Sequence, residues 1–426
     1  MVRVRSMKYK QFTEDNYRLN RTIVSDDIEP ILNSVSSELA LPINIHRYPS
    51  GEDIGTWIVP PSWNVKEAWI KDRSGKIIAS YEEHPLFLAP YSAPFSGQVS
   101  KKTLEEHVRF HPTRKDDYYY EHRLAYNYPM RLSDWVVTMP KNRFDALPDQ
   151  DYEVHIDVDV TPGEMLVGDV TLQGESDKTI ALLVDYCHPG QVNDSWSGIL
   201  AMFEVMKTLQ QRKELYYTYK LLLFPETIGS CVYLEVNQDF IEKCELAIFS
   251  EFVAWGRNWK ILAGNRRDGY AKDICKVAQK MDADFTLAGL YEGYGNDEII
   301  FDYAGVPSIS VQMTECDEYH SSSDDVDLIE QGNIDKAAKM ILEIINVAEK
   351  NRPVRLKHRV PVYMTRYDLY DDAVYSNKKF QQNRSIMNGL NDSLSVLEIS
   401  LKYQIPFDDV VNYVDRVEAN NLLEKL

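Results

Sequence analysis

The sequence predicts an α/β protein: a mostly parallel mixed sheet flanked by helices, with a β-rich inserted domain and a C-terminal winged-helix domain. Apolar runs with strand character alternate with helical runs across residues 166–351. Short β-type runs separated by turn residues fill residues 50–165, and the last residues contain two helical runs joined by a short turn. Because strands that alternate with helices are typical of a sheet covered on both faces, the first pattern predicts the α/β part of the fold.

Residues 1–49 are predicted to be mainly helical and to belong to the α/β domain. In the β-rich segment, apolar and polar residues alternate along DYEVHIDVDV (151–160), which is typical of a half-buried strand. KDRSGK (71–76) favours a hairpin turn between two strand runs. The Tyr-rich stretch DDYYYEHRLAYNYP (116–129) is expected to pack and to make surface hydrogen bonds; contact with a substrate is the alternative.

Residues 166–351 carry the predicted sheet of the α/β domain. Buried strand runs alternate there with helical runs: TIALLVDY (179–186), ILAMFEVMKTLQQ (199–211), TYKLLLFP (218–225), ELAIFSEFV, WKILAG, a helix at 270–281, PSISVQM and a helix at 327–350. Ligands of such sheets bind outside the carboxyl ends of the strands. We therefore expect the chemistry of this protein at that end of the sheet.

Residues 352–426 are predicted to form a separate winged-helix-like domain, preceded by a linker in RPVRLKHRVPV. A domain of this kind commonly places its second helix in the major groove of DNA. Here that helix, DDVVNYVDRVEA, carries four acidic residues and one basic residue. Since phosphate contacts need Lys and Arg, we expect no nucleic acid partner. Packing on the α/β domain or contact within a homo-oligomer is the expected role.

The composition is that of an acidic globular protein. The chain has 426 residues, with 66 Asp and Glu against 47 Lys and Arg, and its formal charge of −19 disfavours nucleic acid and anionic membranes as partners. Its five Cys form no CxxC pair, which argues against a disulfide framework and against a thiolate zinc site. Neither a signal peptide nor an apolar stretch of membrane-spanning length is recognisable. We expect a cytoplasmic protein without a membrane partner.

Four places in the α/β domain combine residue types that bind divalent metals or move protons. They hold Asp185, His188 and Asp194 in DYCHPGQVNDSWSG, Glu226 in FPETIGS, Asp297 and Glu298 in GNDEIIF, and His320 in DEYHSSSDD. Imidazole together with carboxylate suits Zn²⁺ or a similar ion and leaves positions for water. All four places are expected just after strands, at one end of the sheet, so they can converge in one crevice.

Each place also has a purely structural interpretation. A single His after a strand is more often a hydrogen-bonded structural residue than a metal ligand. Asp194 and Asp297 could cap the helices that follow them, Glu226 could lie in an exposed turn, and SSSDD could be a solvated loop. The coincidence of four such places at one end of one sheet favours the hypothesis of a metal site.

In this order, HPGQVNDSWSG, PETIGS, NDEIIFDYAGVP and EYHSSSD resemble the motifs of zinc exopeptidases of the aminopeptidase and glutaminyl-cyclase type. They resemble more closely an uncharacterised aminopeptidase-like family of polysaccharide-biosynthesis loci, which has a β-rich insert and a C-terminal winged helix. This resemblance extends from GTWIVPPSWNVKEAW to NNLLEKL. It implies a zinc exopeptidase-like fold with one or two zinc ions. It also implies a hydrolase that cleaves an amide of a small peptide-like or aminoacyl-sugar substrate.

The resemblance further implies roles for individual residues. His188 would bind one metal, His320 would bind a second, and Asp194 would bridge the two or bind the only one. Glu226 would be a metal ligand or the base that takes a proton from a metal-activated water. Asp297 would orient the site or the substrate.

The chain departs from the exopeptidase pattern in ways that leave alternatives open. The exopeptidases have two adjacent Glu residues, one as a metal ligand and one as the base, whereas this chain has only Glu226 at that place. One of the two roles therefore has no matching residue. Asp185 stands where the close family often has His, and Glu251 in FSEFVAWG is the nearest match to a further Asp ligand. These departures leave open a site that holds a single metal ion. A non-catalytic, metal-poor scaffold is the main alternative to a hydrolase, and a winged-helix regulator is the lesser one.

Overall fold

The structure is a computed structural model that describes residues 8–121, 134–370 and 378–425. Its strands are β1 (Ile43–Pro49), β2 (Asp53–Ile54), β3 (Trp57–Ile58), β4 (Ser62–Lys71), β5 (Ile77–Ser80), β6 (Phe95–Ser100), β7 (Val108–Arg109), β8 (Val137–Thr138), β9 (Asp151–Thr161), β10 (Glu164–Leu172), β11 (Thr179–Asp185), β12 (Thr218–Phe224), β13 (Cys244–Ser250), β14 (Asn258–Ala263), β15 (Thr286–Gly289), β16 (Ser308–Thr314), β17 (Val354–Leu356) and β18 (Leu423–Lys425). Its α-helices are α1 (Lys10–Asn16), α2 (Ile28–Leu39), α3 (Lys101–His107), α4 (Lys141–Asp145), α5 (Trp196–Gln210), α6 (Ile228–Val236), α7 (Gln238–Lys243), α8 (Arg266–Ala278), α9 (Asp297–Tyr303), α10 (Gln331–Lys350), α11 (Lys378–Asn391), α12 (Val396–Tyr403) and α13 (Phe407–Ala419).

An eight-stranded mixed sheet forms the centre of the protein, with the strand order β1-β10-β12-β11-β13-β16-β14-β15. The four strands β12, β11, β13 and β16 run parallel to one another. Antiparallel pairs join β10 to β12, β1 to β10, and β14 to β16. The predicted α/β fold class, a mixed sheet flanked by helices, is confirmed.

The central strands are buried on both faces, which explains their continuous apolar runs. Every residue of β11 is buried. Leu182 belongs to the apolar core on one face of the sheet and Leu183 to the core on the other face, as the two-residue period of a strand requires. Helices α5 and α10 pack together over the first of these cores. Among the described residues, no helix has both the length and the apolar character needed to cross a membrane.

The N-terminal segment is only partly helical. Helices α1 and α2 agree with the expectation for residues 1–49, but residues 43–49 form β1, which pairs with β10 at the edge of the central sheet. The backbone hydrogen bonds to β10 make this segment a strand, and that pairing is not visible in the local sequence. β10, the first strand of the central sheet after the β-rich segment, begins at Glu164, two residues before residue 166.

A second, four-stranded antiparallel sheet with the order β5-β4-β9-β6 lies between β1 and β10 along the chain. All four strands fall inside residues 50–165, although the domain boundaries themselves stay predictions. The expected hairpin turn joins β4 to β5, where the Asp72 side chain accepts backbone N–H groups from Ser74 and Lys76. Of the Tyr-rich stretch, residues 122–129 lie outside the described residues.

The C-terminal part consists of helices α11 to α13 and a ribbon of β17 and β18. Helices α12 and α13 correspond to the two expected helical runs, and α12 begins with a capping box between Ser395 and Glu398. Helix α11 is not predicted from the sequence. Asp408 of α13 lies 3.0 Å from the Nζ atom of Lys350, at the end of α10. An acidic residue of the second helix of the predicted winged-helix domain therefore contacts the α/β domain. The winged-helix assignment itself stays a prediction.

Candidate metal centre

Four neighbouring parallel strands end in polar residues at the same edge of the central sheet. β11 ends with Asp185, Glu226 follows β12, Glu251 follows β13, and the loop after β16 carries His320. The carboxyl ends of parallel strands lie side by side, so residues distant in the sequence meet there. The GNDEIIF motif differs from the expectation, because it does not follow a strand directly: it leads into α9 after the loop that follows β15.

The four residues expected as metal ligands converge at this edge. The Nδ1 atom of His188 lies 3.5 Å from Oδ1 of Asp194, and its Nε2 atom lies 3.5 Å from Oε2 of Glu226. Nε2 of His320 lies 3.2 Å from Oδ2 of Asp194. Asp194 therefore presents one carboxylate oxygen to each imidazole, which is the arrangement expected of a bridging ligand.

The donor set fits a divalent metal of the zinc type. Ligand atoms of His188, Asp194 and His320 all lie within 4.8 Å of one another, and all three residues are buried. Asp185, Cys187 and His188 form a second buried group that meets the same distance limit. Two imidazoles combined with carboxylates at a buried point are the ligand types that zinc accepts.

Glu226 lies in a sharp turn at the end of β12. Thr227, the next residue, has a positive φ of 63°, a region that is unfavourable for a β-branched residue. Oδ1 of Asp297 accepts the Thr227 N–H group at 3.0 Å and also the hydroxyl of Ser230. The sulfur of Cys187 accepts the N–H group of Glu226 at 3.1 Å. Asp297 is therefore hydrogen-bonded to the turn that carries Glu226, and its role in orienting the site or the substrate stays a prediction.

Asn296 links two buried carboxylates beside the imidazoles. Its side-chain amide donates to Oδ2 of Asp185 and to Oε2 of Glu251, both at 3.0 Å. Oδ1 of Asp185 lies 3.5 Å from Nδ1 of His188 and accepts the hydroxyl of Ser195. Asp185 is therefore placed to orient the His188 ring, as carboxylates commonly do for metal-binding imidazoles.

Arg21, from the N-terminal segment, holds the loop that carries His188. Its fully buried guanidinium donates to the carbonyl oxygens of Tyr186 at 2.7 Å, of Gln191 at 2.8 Å, and of His188. The ring centroid of Trp196 lies 4.8 Å from the guanidinium. Burial lowers the pKa of Arg21 only to about 10, so the group is charged at neutral pH. A permanent cation therefore supports this carboxylate-rich site.

Asp324 holds the same loop through its amide groups. Its carboxylate accepts the backbone N–H groups of Val192 at 2.8 Å, Asn193 at 2.6 Å and Asp194 at 3.1 Å. Burial raises the pKa of Asp324 to about 7 in spite of these three hydrogen bonds. Because Asp324 follows His320 by four residues, it connects the two loops that carry the candidate ligands.

Burial and neighbouring charges set the protonation of the site. Burial, reinforced by the charge of Asp185, raises the pKa of Glu251 well above its ordinary value. Burial acts in the same direction on Asp194, but His188 and His320 outweigh it and lower the pKa of Asp194. For His188, burial disfavours the charged ring, yet the charge of Asp194 prevails and the pKa is raised. A cluster of this kind favours a bound cation, because a cation relieves the repulsion between buried carboxylates.

A pocket of about 140 Å³ opens over these residues. One wall is aromatic: the ring centroids of Phe252 and Tyr294 are 4.4 Å apart, and those of Tyr294 and Tyr319 are 5.3 Å apart. Tyr319 also stacks on His320 with a centroid distance of 3.8 Å. The pocket is lined by His188, Asp194, Glu226, Glu251, Phe252, Tyr294, Gly295, Asn296, Tyr319 and His320. The site thus combines a polar floor with an apolar wall.

The predicted residues divide into a set that lines the pocket and a set that supports it. Five of them line the pocket, namely His188, Asp194, Glu226, Glu251 and His320. Asp185 and Asp297 support it by hydrogen bonds, as described above.

Several residues that contact the site are not predicted from the sequence, among them Arg21, Tyr120, Asn296 and Asp324. Asn296 and Asp324 lie inside the quoted motifs GNDEIIF and DEYHSSSDD. Their polar side chains within these motifs could have indicated a role at the site. Arg21 lies far from every motif, and no local pattern marks it. Tyr120 belongs to the Tyr-rich stretch 116–129, but that pattern does not indicate which Tyr lies beside the imidazoles.

Comparison with known proteins identifies similar chains. A protein of Clostridium acetobutylicum, whose name places it in polysaccharide biosynthesis and gives it an aminopeptidase-like domain, is 28% identical over 348 residues. The match covers 80% of this chain and 77% of that protein. It agrees with the resemblance stated for the sequence, which is thereby confirmed.

Two solved structures show the same fold. A crystal structure of a C. acetobutylicum protein named as a peptidase matches with a TM-score of 0.82 and 23% identity, over 98% of this chain and 96% of that one. The zinc aminopeptidase of Bacillus subtilis matches with a TM-score of 0.60 and 14% identity, over 80% of this chain and 95% of that one. The fold of this protein is therefore aminopeptidase-like.

The model of one protein family matches residues 10–351. That family is described as a domain of unknown function, DUF4910. The matched residues contain the central sheet, the β-rich segment and all the candidate ligands. The chain therefore belongs to the DUF4910 family.

Proposed function

We propose that this protein is a metal-dependent hydrolase of the aminopeptidase type, which cleaves an amide bond. The observation that carries the proposal is the convergence of His188, Asp194, Glu226 and His320 on one pocket from three strand ends. The aminopeptidase-like fold supports it, because ligands of such sheets collect at this edge. The donor set, with two imidazoles on either side of one carboxylate, supports it independently.

Zinc is the proposed metal, as one or two ions, and His188, Asp194 and His320 are its proposed ligands. When bound, zinc would lower the pKa of a water molecule and polarise the carbonyl of the substrate. Asp185 would keep the His188 ring oriented, and the aromatic wall of the pocket would limit access of bulk water. Arg21 would balance part of the negative charge that the carboxylates bring to the site.

Glu226 and Glu251 are proposed to share the two roles for which the exopeptidases use adjacent Glu residues. The Glu226 side chain is 23% exposed and faces His188, so its carboxylate can exchange protons with a substrate. It would accept the proton of the attacking water and return it to the leaving amine. Glu251 is almost completely buried beside Asn296 and is better placed to act as a ligand.

The proposed substrate is a small peptide-like or aminoacyl-sugar amide. The small volume of the pocket suits a single residue-sized group, and the aromatic wall offers an apolar surface to it. The name of the C. acetobutylicum relative supports a sugar-linked substrate. We further propose that the protein acts in the cytoplasm without nucleic acid or membrane partners, and that a homo-oligomer is compatible with this activity.

Metal analysis combined with an assay of amino acid release tests the proposal. Purified protein should contain about one or two zinc ions per chain, and it should release amino acids from a library of peptides and aminoacyl-sugar amides. Chelation should abolish release and added zinc should restore it. A protein that holds no divalent ion under any loading condition would refute the proposal.

A non-catalytic scaffold is the second candidate, and the single Glu226 in place of a Glu pair favours it. A scaffold would retain the pocket without turnover on any amide of the library. Turnover by the wild-type protein that is lost in both Glu226→Gln and His320→Ala would exclude this candidate. The two variants also separate the proton-transfer role from the ligand role, because only His320→Ala should lower the metal content.

A further inference from the structure

A segment of the β-rich insertion, residues 117–120, lies along the loop that carries His320. The backbone N–H group of Tyr120 donates to the carbonyl of His320 at 2.9 Å. The N–H group of Ser322 donates to the carbonyl of Tyr118 at 3.1 Å, and Tyr119 forms an isolated β-bridge with Ser321. The insertion is thus joined by main-chain hydrogen bonds to a loop of the candidate metal centre.

The Tyr120 side chain lies between the two imidazoles of that centre. Its ring centroid is 5.0 Å from that of His188, with an interplanar angle of 57°. It is 5.1 Å from that of His320, with an angle of 79°. The two imidazole centroids are themselves 6.0 Å apart. The three rings therefore form a compact triangle, in which edge-to-face contact with Tyr120 is favourable.

Tyr120 is also attached to the segment next to His188. Its hydroxyl donates to the carbonyl oxygen of Cys187 at 3.4 Å. The residue is 7% exposed and is not among the residues that line the pocket. Its main chain contacts one ligand loop and its side chain contacts the other.

We propose that Tyr120 is a positioning residue of the metal centre, which sets the spacing of the His188 and His320 imidazoles. Through it, the β-rich insertion completes a site whose other residues come from the α/β domain. This inference rests on the proposed metal-binding function. Groups that orient metal ligands commonly change metal affinity by about 10- to 100-fold when they are removed, and we expect an effect of this size for the Tyr120 ring.

Zinc affinity, measured by competition with a chromophoric chelator, tests this role without any enzyme assay. Tyr120→Leu keeps an apolar side chain but removes the planar ring, and it should weaken zinc binding by about 10-fold or more. Tyr120→Phe keeps the ring and loses the long hydrogen bond to Cys187, so its affinity should stay within about 3-fold of wild type. The visible spectrum of the Co²⁺-loaded protein should change in Tyr120→Leu and remain unchanged in Tyr120→Phe.

Tyr118→Leu is the matched control. Tyr118 is buried in the same segment, but its ring stacks on His84 and its hydroxyl accepts from Arg143, inside the insertion. This variant should lower the melting temperature while its zinc affinity stays within about 3-fold of wild type. Melting curves of all variants show whether each protein is folded.

The outcomes separate this inference from the proposed function. Absence of zinc binding in the wild-type protein would refute the proposed function itself. Zinc binding in the wild type together with wild-type affinity and an unchanged Co²⁺ spectrum in folded Tyr120→Leu would refute only the role of Tyr120. An equal loss of affinity in Tyr118→Leu would also refute it, since the effect would then belong to the whole segment.

Discussion

Acidic residues have opposite environments at the carboxyl edge of the central sheet and in the C-terminal helix α13. At the sheet edge, Asp185 and Glu251 are almost completely buried and share the amide of Asn296. In α13, the Asp408 side chain is 67% exposed and pairs with Lys350 at the surface. The same type of side chain is thus enclosed among like charges in one region and solvated in the other.

This difference shows that formal charge alone does not indicate what an acidic residue does. Burial among like charges raises the pKa of a carboxyl group. It also favours the binding of a metal cation, which neutralises the carboxylate as a proton would. An exposed ion pair is hydrated and screened by salt, so it contributes little to stability. The net charge of −19 therefore combines a small buried set suited to a metal with a larger solvated set.

The largest expected effect is that of Glu226→Gln at the sheet edge. Loss of the proposed proton acceptor should lower kcat by about 10²- to 10⁴-fold while the zinc content is retained. Turnover and metal content measured on the same sample check this expectation. Asp408→Asn removes one carboxylate from α13 and should leave turnover unchanged. Equal turnover in Glu226→Gln and Asp408→Asn would contradict the contrast between the two regions.

Arg21→Met should cause the next largest effect, on stability. The substitution leaves the carbonyl groups of Tyr186, His188 and Gln191 without their buried donor, and such losses cost about 1–3 kcal/mol per group. We expect the free energy of unfolding to fall by about 3 kcal/mol or more, as measured by urea denaturation. A decrease below about 1 kcal/mol would mean that the loop does not depend on this cation.

The pH dependence of the metal-free protein gives a smaller effect. Burial raises the pKa of Glu298 to about 8. Because the folded state holds this proton more tightly, the stabilising contribution is complete below the ordinary pKa of a Glu and is lost as the pH rises through 8. Between about pH 7 and pH 9 the wild type should therefore lose about 1–2 kcal/mol more stability than Glu298→Gln does. Parallel pH profiles of the two proteins in urea denaturation would argue against a buried, protonated Glu298.

Asp415→Asn in α13 should have the smallest effect. The Asp415 side chain is 56% exposed and pairs with Arg352. We expect a change of less than about 0.5 kcal/mol in the free energy of unfolding, and a still smaller change at high salt. Urea denaturation at two salt concentrations measures it. A loss above about 2 kcal/mol would show that this surface is more tightly coupled to the α/β domain than its exposure indicates.

Most of the fold could be predicted from local patterns. The runs at 179–186 and 218–225 are continuous and apolar because β11 and β12 are buried on both faces. The hairpin at KDRSGK was visible because Asp, Ser and Gly favour a tight turn. β1 was harder to predict from the sequence, since its strand character depends on pairing with β10, more than 100 residues later in the chain.

The candidate site was predicted only in part. His188, Asp194, Glu226 and His320 lie in the segments that follow strand runs, so their convergence followed from the geometry of a parallel sheet. Asp297 was expected to orient the site or the substrate, which stays a prediction, and the structure shows that it accepts hydrogen bonds from Thr227 and Ser230 in the turn after β12. Its partners, Thr227 and Ser230, come from another part of the chain, so the local sequence could not indicate this contact.

The sequence by itself determined the class of the fold and the kinds of chemical groups at the carboxyl edge of its sheet. Both follow from short-range patterns: the periodicity of apolar residues, and the position of polar residues at the ends of strands. The tertiary structure alone decided which groups support that edge. Arg21 and Tyr120 reach it from the N-terminal segment and from the β-rich insertion. Their contacts span 67 or more residues of sequence and depend on how separate elements pack, which no local pattern encodes.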